Sequence, residues 1–248
     1  ISFTGSPKVG WYIHENAKKK KVVLELGGNA ACIVDRNIKD VDSIVNQILF
    51  GSFTNSGQFC ISIQRILIHE SLYDEFCEKL QKGAEKWNLN QGDPFNRSTM
   101  LGPLISEKEA IRVEDWVNQS VSDNGGKILC GGTRNGSFYD ATFITDLDKQ
   151  GKLWTDEIFG PVACIHKFSN FKEAIEMAND SEFGLQAGIF TNDLQKSFYA
   201  YENLQVGGVV INDIPGVRVQ VQPYGGSKSS GCGREGVKYA IDDLTEIR

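Results

Sequence analysis

The sequence predicts an α/β fold, a mostly parallel sheet covered by helices. Short segments rich in apolar and β-branched residues alternate with segments whose apolar residues recur at helical spacing. The alternation runs along nearly all of a 248-residue chain, long enough for a sizeable core and for one or two domains. No internal repeat or low-complexity stretch interrupts it. Such a β-α-β rhythm implies parallel strands with helical crossovers.

The elements follow in order. Val22 to Leu26 and Ala31 to Val34 read as strands. From Ile38 to Phe53, Val41, Ile44, Val45, Ile48 and Leu49 form a helical stripe. Arg65 to Ile68 reads as a buried strand. Ser71 is placed to cap a helix that carries Leu72, Phe76, Leu80 and Ala84 on one face. The stretch from Trp87 to Pro103 reads as a loop, punctuated by Gly92, Pro94, Gly102 and Pro103. Ser106 and Glu109 form a capping box for a helix reaching about Val121. Val162 to Phe168 reads as a strand, and Phe171, Ala174, Ile175 and Ala178 as a helical stripe. A strand from Ala187 to Thr191, a helix from Asp193 to Asn203 and a strand from Gly208 to Asn212 complete the pattern.

Composition narrows the function. Hydrophobic residues at 40% and charged residues at 23% describe an ordinary globular protein. A net charge of −6 argues against nucleic acid or an anionic membrane as partner, because both favour basic surfaces. No apolar run reaches the roughly 20 residues that span a bilayer, and no signal pattern opens the chain. The six cysteines are scattered and contain no Cys-x-x-Cys. A disulfide framework and a zinc site therefore lack supporting spacing, and a reduced, cytoplasmic setting is expected. The chain opens on Ile1 within a strand-like segment, which suggests that residues upstream are missing.

Five motifs can carry chemistry. In Phe3-Thr4-Gly5-Ser6-Pro7-Lys8-Val9-Gly10 a strand enters a turn, Ser6 suits an N-cap and Pro7 the first helical position. Such a helix start can bind a phosphate or be an ordinary connection. In Leu24-Glu25-Leu26-Gly27-Gly28-Asn29 a carboxylate sits in an apolar strand. Burial would raise its pKa and make it a general base; an edge position would turn it to water. In Asn55-Ser56-Gly57-Gln58-Phe59-Cys60 polar residues lead to a cysteine on a loop, where it would be accessible. Cys32 and Cys164 lie in strands and read as core. In Asp156-Glu157-Ile158-Phe159-Gly160-Pro161 an acid and an aromatic could bind a sugar hydroxyl and cover a ring, or be surface and core. Gly231-Cys232-Gly233-Arg234-Glu235-Gly236 is formally G-x-G-x-x-G, but no strand precedes it as a dinucleotide fingerprint requires. It reads as a glycine-rich surface loop.

Taken together and in this order, Phe-Thr-Gly-Ser, Leu-Glu-Leu-Gly-Gly, Gly-Gln-x-Cys, Glu-x-Phe-Gly-Pro and Gly-Gly-x-Lys-x-Ser-Gly closely resemble the aldehyde dehydrogenase superfamily over essentially the whole chain. The resemblance implies NAD(P)-dependent oxidation of a small-molecule aldehyde to a carboxylic acid. Cys60 would attack the carbonyl to give a thiohemiacetal, hydride would pass to the nicotinamide, and Glu25 would activate water to hydrolyse the thioester. The Cys60 N–H would contribute to the oxyanion hole. Glu157 would hold the nicotinamide ribose and Phe159 would lie against the cofactor. Gly5, Ser6 and Gly10 would lie near the pyrophosphate, and the Leu26 backbone near the carboxamide. NAD and NADP are not separated by these residues. The implied fold is a Rossmann-like catalytic domain over residues 29–222, with 1–28 as the end of a cofactor-binding domain and 223–248 as a tail returning to it. The implied assembly is a homodimer or homotetramer.

Family members run to nearly twice this length. Their upstream half supplies most of the cofactor domain and an asparagine that completes the oxyanion hole, a role no residue here takes. The chain also stops about where a final oligomerisation strand should begin. Loss of one oxyanion donor typically costs about 100-fold or more in rate, so these residues alone are expected to bind cofactor poorly and turn over weakly. For substrate, Ile61, Ile211-Asn212-Asp213, Arg218 and Pro223-Tyr224-Gly225-Gly226 look most like the branch acting on small hydroxylated or phosphorylated aldehydes. Arg218 could bind an anionic tail or be a solvated loop residue. Competing readings are a cysteine hydrolase pairing Cys60 with His14, His69 or His166, a non-catalytic interaction domain, and an enzyme passing the thioester to coenzyme A. A water-activating Glu25 argues against the last.

Overall fold

The computed structural model describes residues 1–248. In chain order its elements are β1 (Ser2–Thr4), α1 (Pro7–Asn16), β2 (Val23–Glu25), β3 (Ala30–Val34), α2 (Val41–Phe53), β4 (Ile63–His69), α3 (Tyr73–Leu89) and α4 (Glu107–Asp123). Then come β5 (Lys127–Cys130), β6 (Arg134–Asn135), β7 (Phe138–Tyr139), β8 (Thr142–Thr145), α5 (Lys152–Thr155), β9 (Val162–Phe168), α6 (Phe171–Asn179) and β10 (Phe183–Gly184). The chain ends with β11 (Gln186–Phe190), α7 (Leu194–Asn203), β12 (Gly208–Ile211), β13 (Ser227–Lys228), β14 (Gly231–Cys232) and α8 (Val237–Leu244).

Seven strands form the central sheet in the order β12-β11-β3-β4-β9-β8-β5. Neighbours pair in parallel, apart from the edge strand β5 against β8. A parallel strand covered on both faces must be apolar on both, and β3 is buried at every residue. Successive side chains alternate between two cores, as the two-residue strand period requires. Val162 and Cys164 of β9 face α4, α5, α6 and α7; Ala163 and Ile165 face α2 and α3.

Two polar residues interrupt β4. Arg65 is fully desolvated and has no carboxylate partner among its contacts. Its guanidinium donates to Met177 O at 2.8 Å, Ala178 O at 3.0 Å and Asn29 O at 3.0 Å. The first two are free carbonyls at the C-terminus of α6, where the helix dipole favours a cation. Lys228 Nζ approaches the same helix end through Asn179 O at 2.8 Å and Ser181 O at 3.0 Å. Arg65 thereby ties the sheet to the turn before β3, which leads to the cavity described below.

A smaller sheet lies apart from the seven strands. In it β2 is central, parallel to β1 and antiparallel to β14.

Several expectations need correction. Ser71 does not cap α3: a single 3-10 turn, Glu70–Leu72, comes first, and the Ser71 hydroxyl bonds His69 Nδ1 at 2.9 Å. Trp87 to Leu89 is the last turn of α3 rather than loop, because Trp87 is buried against the core. Ser106 does cap α4 through Glu109 N, but the Glu109 carboxylate turns to Arg112 at 2.7 Å and the box is not reciprocal. The glycine-rich tail is more than a surface loop. Gly231 and Cys232 form β14 against β2, and α8 follows Gly236.

Candidate active site

The cysteine loop begins where α2 ends. Asn55 (φ 53), Ser56 (φ 55) and Gly57 (φ 68) are all left-handed, an unfavourable run that surrounding bonds must hold. Ser56 Oγ donates to Gly102 O at 2.8 Å, and Gln58 Oε1 accepts from Ile105 N at 2.8 Å. At Gly57 an added Cβ would stand 2.1 Å from Gly160 O, so only glycine fits. The polar run before Cys60 is thus structural. It brings half-buried Cys60 to the wall of a cavity of about 570 Å³.

Glu25 ends β2 and is 4% exposed. β14 covers it, pairing Gly231 with Glu25, so the edge-strand reading fails. Neither carboxylate oxygen has a hydrogen-bond partner in the protein. Burial, and then the charge of Glu235, push the carboxyl from its ordinary 4.5 up to about 7, against the pull of Arg218 and Arg234.

The two glycines after Leu26 allow close approach. An added Cβ on Gly28 would lie 2.1 Å from the Cys60 carbonyl oxygen, and one on Gly27 would lie 2.6 Å from Glu157 Oε2. Gly28 N–H donates to Glu157 Oε1 at 2.8 Å. Burial raises Glu157 to about 7, with the Gly28 bond and Arg112 opposing. Phe159 is left-handed (φ 47) and stays 43% exposed on the cavity wall.

Residues that the sequence reading did not single out hold this acidic loop. Gln64 Oε1 accepts from Ile158 N at 3.0 Å, and its amide donates to Leu153 O at 3.1 Å and to Asp156 O. Asn29 donates to Trp154 O at 2.7 Å, and Arg112 to Ile158 O at 2.7 Å. The available signal was Gln64, one of two adjacent polar residues within an apolar strand.

Gly5, Ser6, Leu26, Glu157 and Phe159 line the same cavity as Cys60 and Glu25. Ser6 stands at the N-cap of α1 but makes no side-chain cap bond. Gly10 lies behind the wall, where an added Cβ would meet Leu26 Cδ2 at 2.3 Å. Arg218, Tyr224 and Glu235 also line the cavity, so Arg218 is not merely a solvated loop residue. The Tyr224 hydroxyl lies 3.3 Å from Cys60 Sγ. Burial raises the Cys60 thiol; the Tyr224 hydroxyl opposes this, and Glu157 and Glu25 add to it. No histidine is among the lining residues. His69 bonds Ser71, and His166 stacks edge-on with Trp154, so neither serves as a partner for Cys60.

Comparison with known proteins shows the family. The model of the aldehyde dehydrogenase family matches residues 1–248. The chain is 46% identical over its whole length to 3-sulfolactaldehyde dehydrogenase of Priestia aryabhattai, of which it covers 51%. It is 42% identical, again over its whole length, to lactaldehyde dehydrogenase of Methanococcus aeolicus, of which it covers 52%. Among solved structures, aldehyde dehydrogenase 21 of Physcomitrella patens in complex with the reaction product succinate superposes with a TM-score of 0.95 at 50% identity. That match covers 99% of this chain and 50% of the other. Glyceraldehyde-3-phosphate dehydrogenase of Methanocaldococcus jannaschii complexed with NADP also gives 0.95, at 44% identity, covering 100% of this chain and 53% of the other. The chain belongs to the aldehyde dehydrogenase family and has its α/β fold. It spans about half the length of the curated relatives it matches.

Proposed function

We propose that the protein oxidises a small aldehyde to a carboxylic acid, with NAD or NADP as hydride acceptor, Cys60 as nucleophile and Glu25 as general base. The observation that carries this reading is that Cys60 and a buried, unpartnered Glu25 share one cavity. The rest of the wall fits a nicotinamide dinucleotide. Glu157 offers a carboxylate for ribose hydroxyls and Phe159 an exposed aromatic face. Gly5 and Ser6 stand at the start of α1, where a phosphate is favoured, with Gly10 one turn behind. The Leu26 backbone, on the same wall, would hold the carboxamide. When bound, the nicotinamide supplies the hydride acceptor that converts a thiohemiacetal on Cys60 to a thioester.

The protein's own residues account for the remaining steps. Cys60 Sγ, once deprotonated, adds to the aldehyde carbon, and the Cys60 N–H donates to the oxyanion. Glu25, close to neutrality in pKa, suits proton removal at pH 7. It takes a proton from water, hydroxide adds to the thioester carbon, and the carbon–sulfur bond breaks to release the acid and the Cys60 thiolate. For substrate, Arg218 on the wall supports a hydroxylated or phosphorylated small aldehyde, in keeping with the names of the relatives. The absence of histidine from the wall disfavours a cysteine–histidine hydrolase.

The boundaries 1–28, 29–222 and 223–248 remain our reading of the domains. They are supported by the small sheet joining β1 and β2 to β14, while the seven-stranded sheet lies wholly within the middle segment. A homodimer or homotetramer is supported by exposed Leu194, Phe198 and Tyr201 on α7, beside the edge strand β12. No helix is long and apolar enough to cross a membrane. The six unpaired cysteines support a reducing, cytoplasmic setting.

The test is reduced-nicotinamide formation over a panel of neutral and anionic aldehydes. Cys60→Ala should abolish turnover. Glu25→Gln should stall as an acyl-enzyme detectable by mass spectrometry. Turnover that persists in Cys60→Ala refutes the proposal, and equal activity on neutral and anionic aldehydes removes the role of Arg218.

A further inference from the structure

Cys60 sits in a negative setting. Glu25 faces it from β2 and Glu157 from the loop before β9, and Glu235 stands further round the wall. No lysine or histidine lines the cavity, and its one cation, Arg218, is paired with Glu235 at 2.7 Å. Two carboxylates beside a thiol oppose its ionisation. The structure nevertheless brings a neutral hydroxyl, that of Tyr224, to 3.3 Å from the sulfur.

The Tyr224 ring is held from three sides. It is 7% exposed and packs with Ile61 and Leu185. The Arg218 guanidinium lies over its face at 4.1 Å. Its backbone exchanges two hydrogen bonds with Glu235, one of 3.0 Å and one of 2.6 Å, and Glu235 in turn holds Arg218. This closed set of contacts fixes the hydroxyl against Sγ.

We infer that Tyr224 is the positioning residue for the Cys60 sulfur: its hydroxyl donates to the thiolate, favours that form, and aims it into the cavity. While the thiol keeps its proton, either group can donate. Once it ionises, only the phenol can. Burial, then the charge and the bond of Cys60, hold the Tyr224 hydroxyl well above the usual tyrosine range, so it remains a donor wherever Cys60 titrates. The inference rests on the reading of Cys60 as nucleophile only for its consequence in turnover; the bond itself is tested without cofactor or aldehyde.

The experiment is the pH dependence of Cys60 alkylation by iodoacetamide in the purified protein, followed by peptide mass spectrometry, with Cys77 on α3 as internal control. Tyr224→Phe keeps the ring beneath Arg218 and removes the donor. It should raise the apparent pKa of Cys60 by about one unit or more, the scale of a hydrogen bond to a charged group. Neutral-pH alkylation should fall about threefold per unit, since a more basic thiolate is also more nucleophilic. Cys77 should be unaffected. A ring-fluorinated tyrosine at position 224 is a stronger donor of the same shape and should move the pKa of Cys60 the opposite way, which also covers a failure of the phenylalanine variant to fold. A Cys60 pKa unchanged in the variants that fold, or lowered in Tyr224→Phe, overturns the inference. Such a result leaves the dehydrogenase reading standing, because that reading is judged by turnover of Cys60→Ala.

Discussion

Replacing Glu25 with glutamine should make the folded protein more stable at high pH and barely change it at low pH. The carboxyl is 4% exposed, has no hydrogen-bond partner in the protein, and is pushed from 4.5 to about 7. At pH 8 it is ionised in folded and unfolded chains alike, and only the folded chain bears the cost of a buried charge. At about 1.36 kcal/mol per pH unit that cost is about 3 kcal/mol. The open cavity mouth screens part of it, leaving about 2 kcal/mol. As pH falls below 7 the folded carboxyl takes up its proton first, so the penalty shrinks; below 4.5 both states are protonated and it is gone. Thermal unfolding of wild type and Glu25→Gln at pH 5 and pH 8 measures the difference. The variant should melt roughly 4–8 °C above wild type at pH 8, with most of that gain absent at pH 5. In the proposed role of general base, the same carboxyl should act on the chemistry in the opposite sense. Thioester hydrolysis should rise with pH through about 7 as the carboxylate forms, and that limb should vanish in Glu25→Gln. A variant equally stabilised at both pH values, or not at all, would refute the view of Glu25 as a buried base without a protein partner.

Three further outcomes follow from the geometry. Gly28→Ala puts a methyl 2.1 Å from the Cys60 carbonyl oxygen, and backbone must move; kcat/KM should drop about 100-fold and stability by about 1–3 kcal/mol, with kinetics and melting as checks. Arg65→Met strands the carbonyls of Met177, Ala178 and Asn29 in the core; a loss of about 3 kcal/mol or more should appear in urea unfolding. Glu157→Gln keeps an acceptor for Gly28 N–H but removes the charge beside the thiol. Cofactor KM should rise about tenfold or more, while Cys60 alkylation at pH 8, above the titration of Glu157 and below that of the thiol, quickens slightly because a charge that raises the thiol is gone.

How far the sequence could be read depended on how local each cause was. Strand β9 is legible to the residue, Val162 to Phe168, because its two-sided apolar run ends at turn residues. Helix α7 is legible because Asp193 caps it from the neighbouring position, accepting from Gln195 N and Lys196 N. β5 and β8 carry no such mark: β5 is a half-exposed edge, and the four residues of β8 pair in parallel only with distant β9. The site divides in the same way. Cys60 was legible as an accessible loop cysteine. Glu25 remained open between base and edge residue because its burial depends on β14, which arrives from the far end of the chain. Tyr224 and Arg218 reach the cavity through a loop closed by the Tyr224–Glu235 bridge, a pairing with no local signature. Gln64 and Arg65 are different. A polar pair inside Ile63-Gln64-Arg65-Ile66 is the same anomaly that singled out Glu25, and it carries the same demand for partners. Those partners proved to be the acidic loop and the end of α6. A buried polar residue in a strand is therefore evidence of a bond still to be found. At Glu25 the fold leaves both carboxylate oxygens without a protein partner on the wall of a cavity, and the proposed role as base rests on that combination.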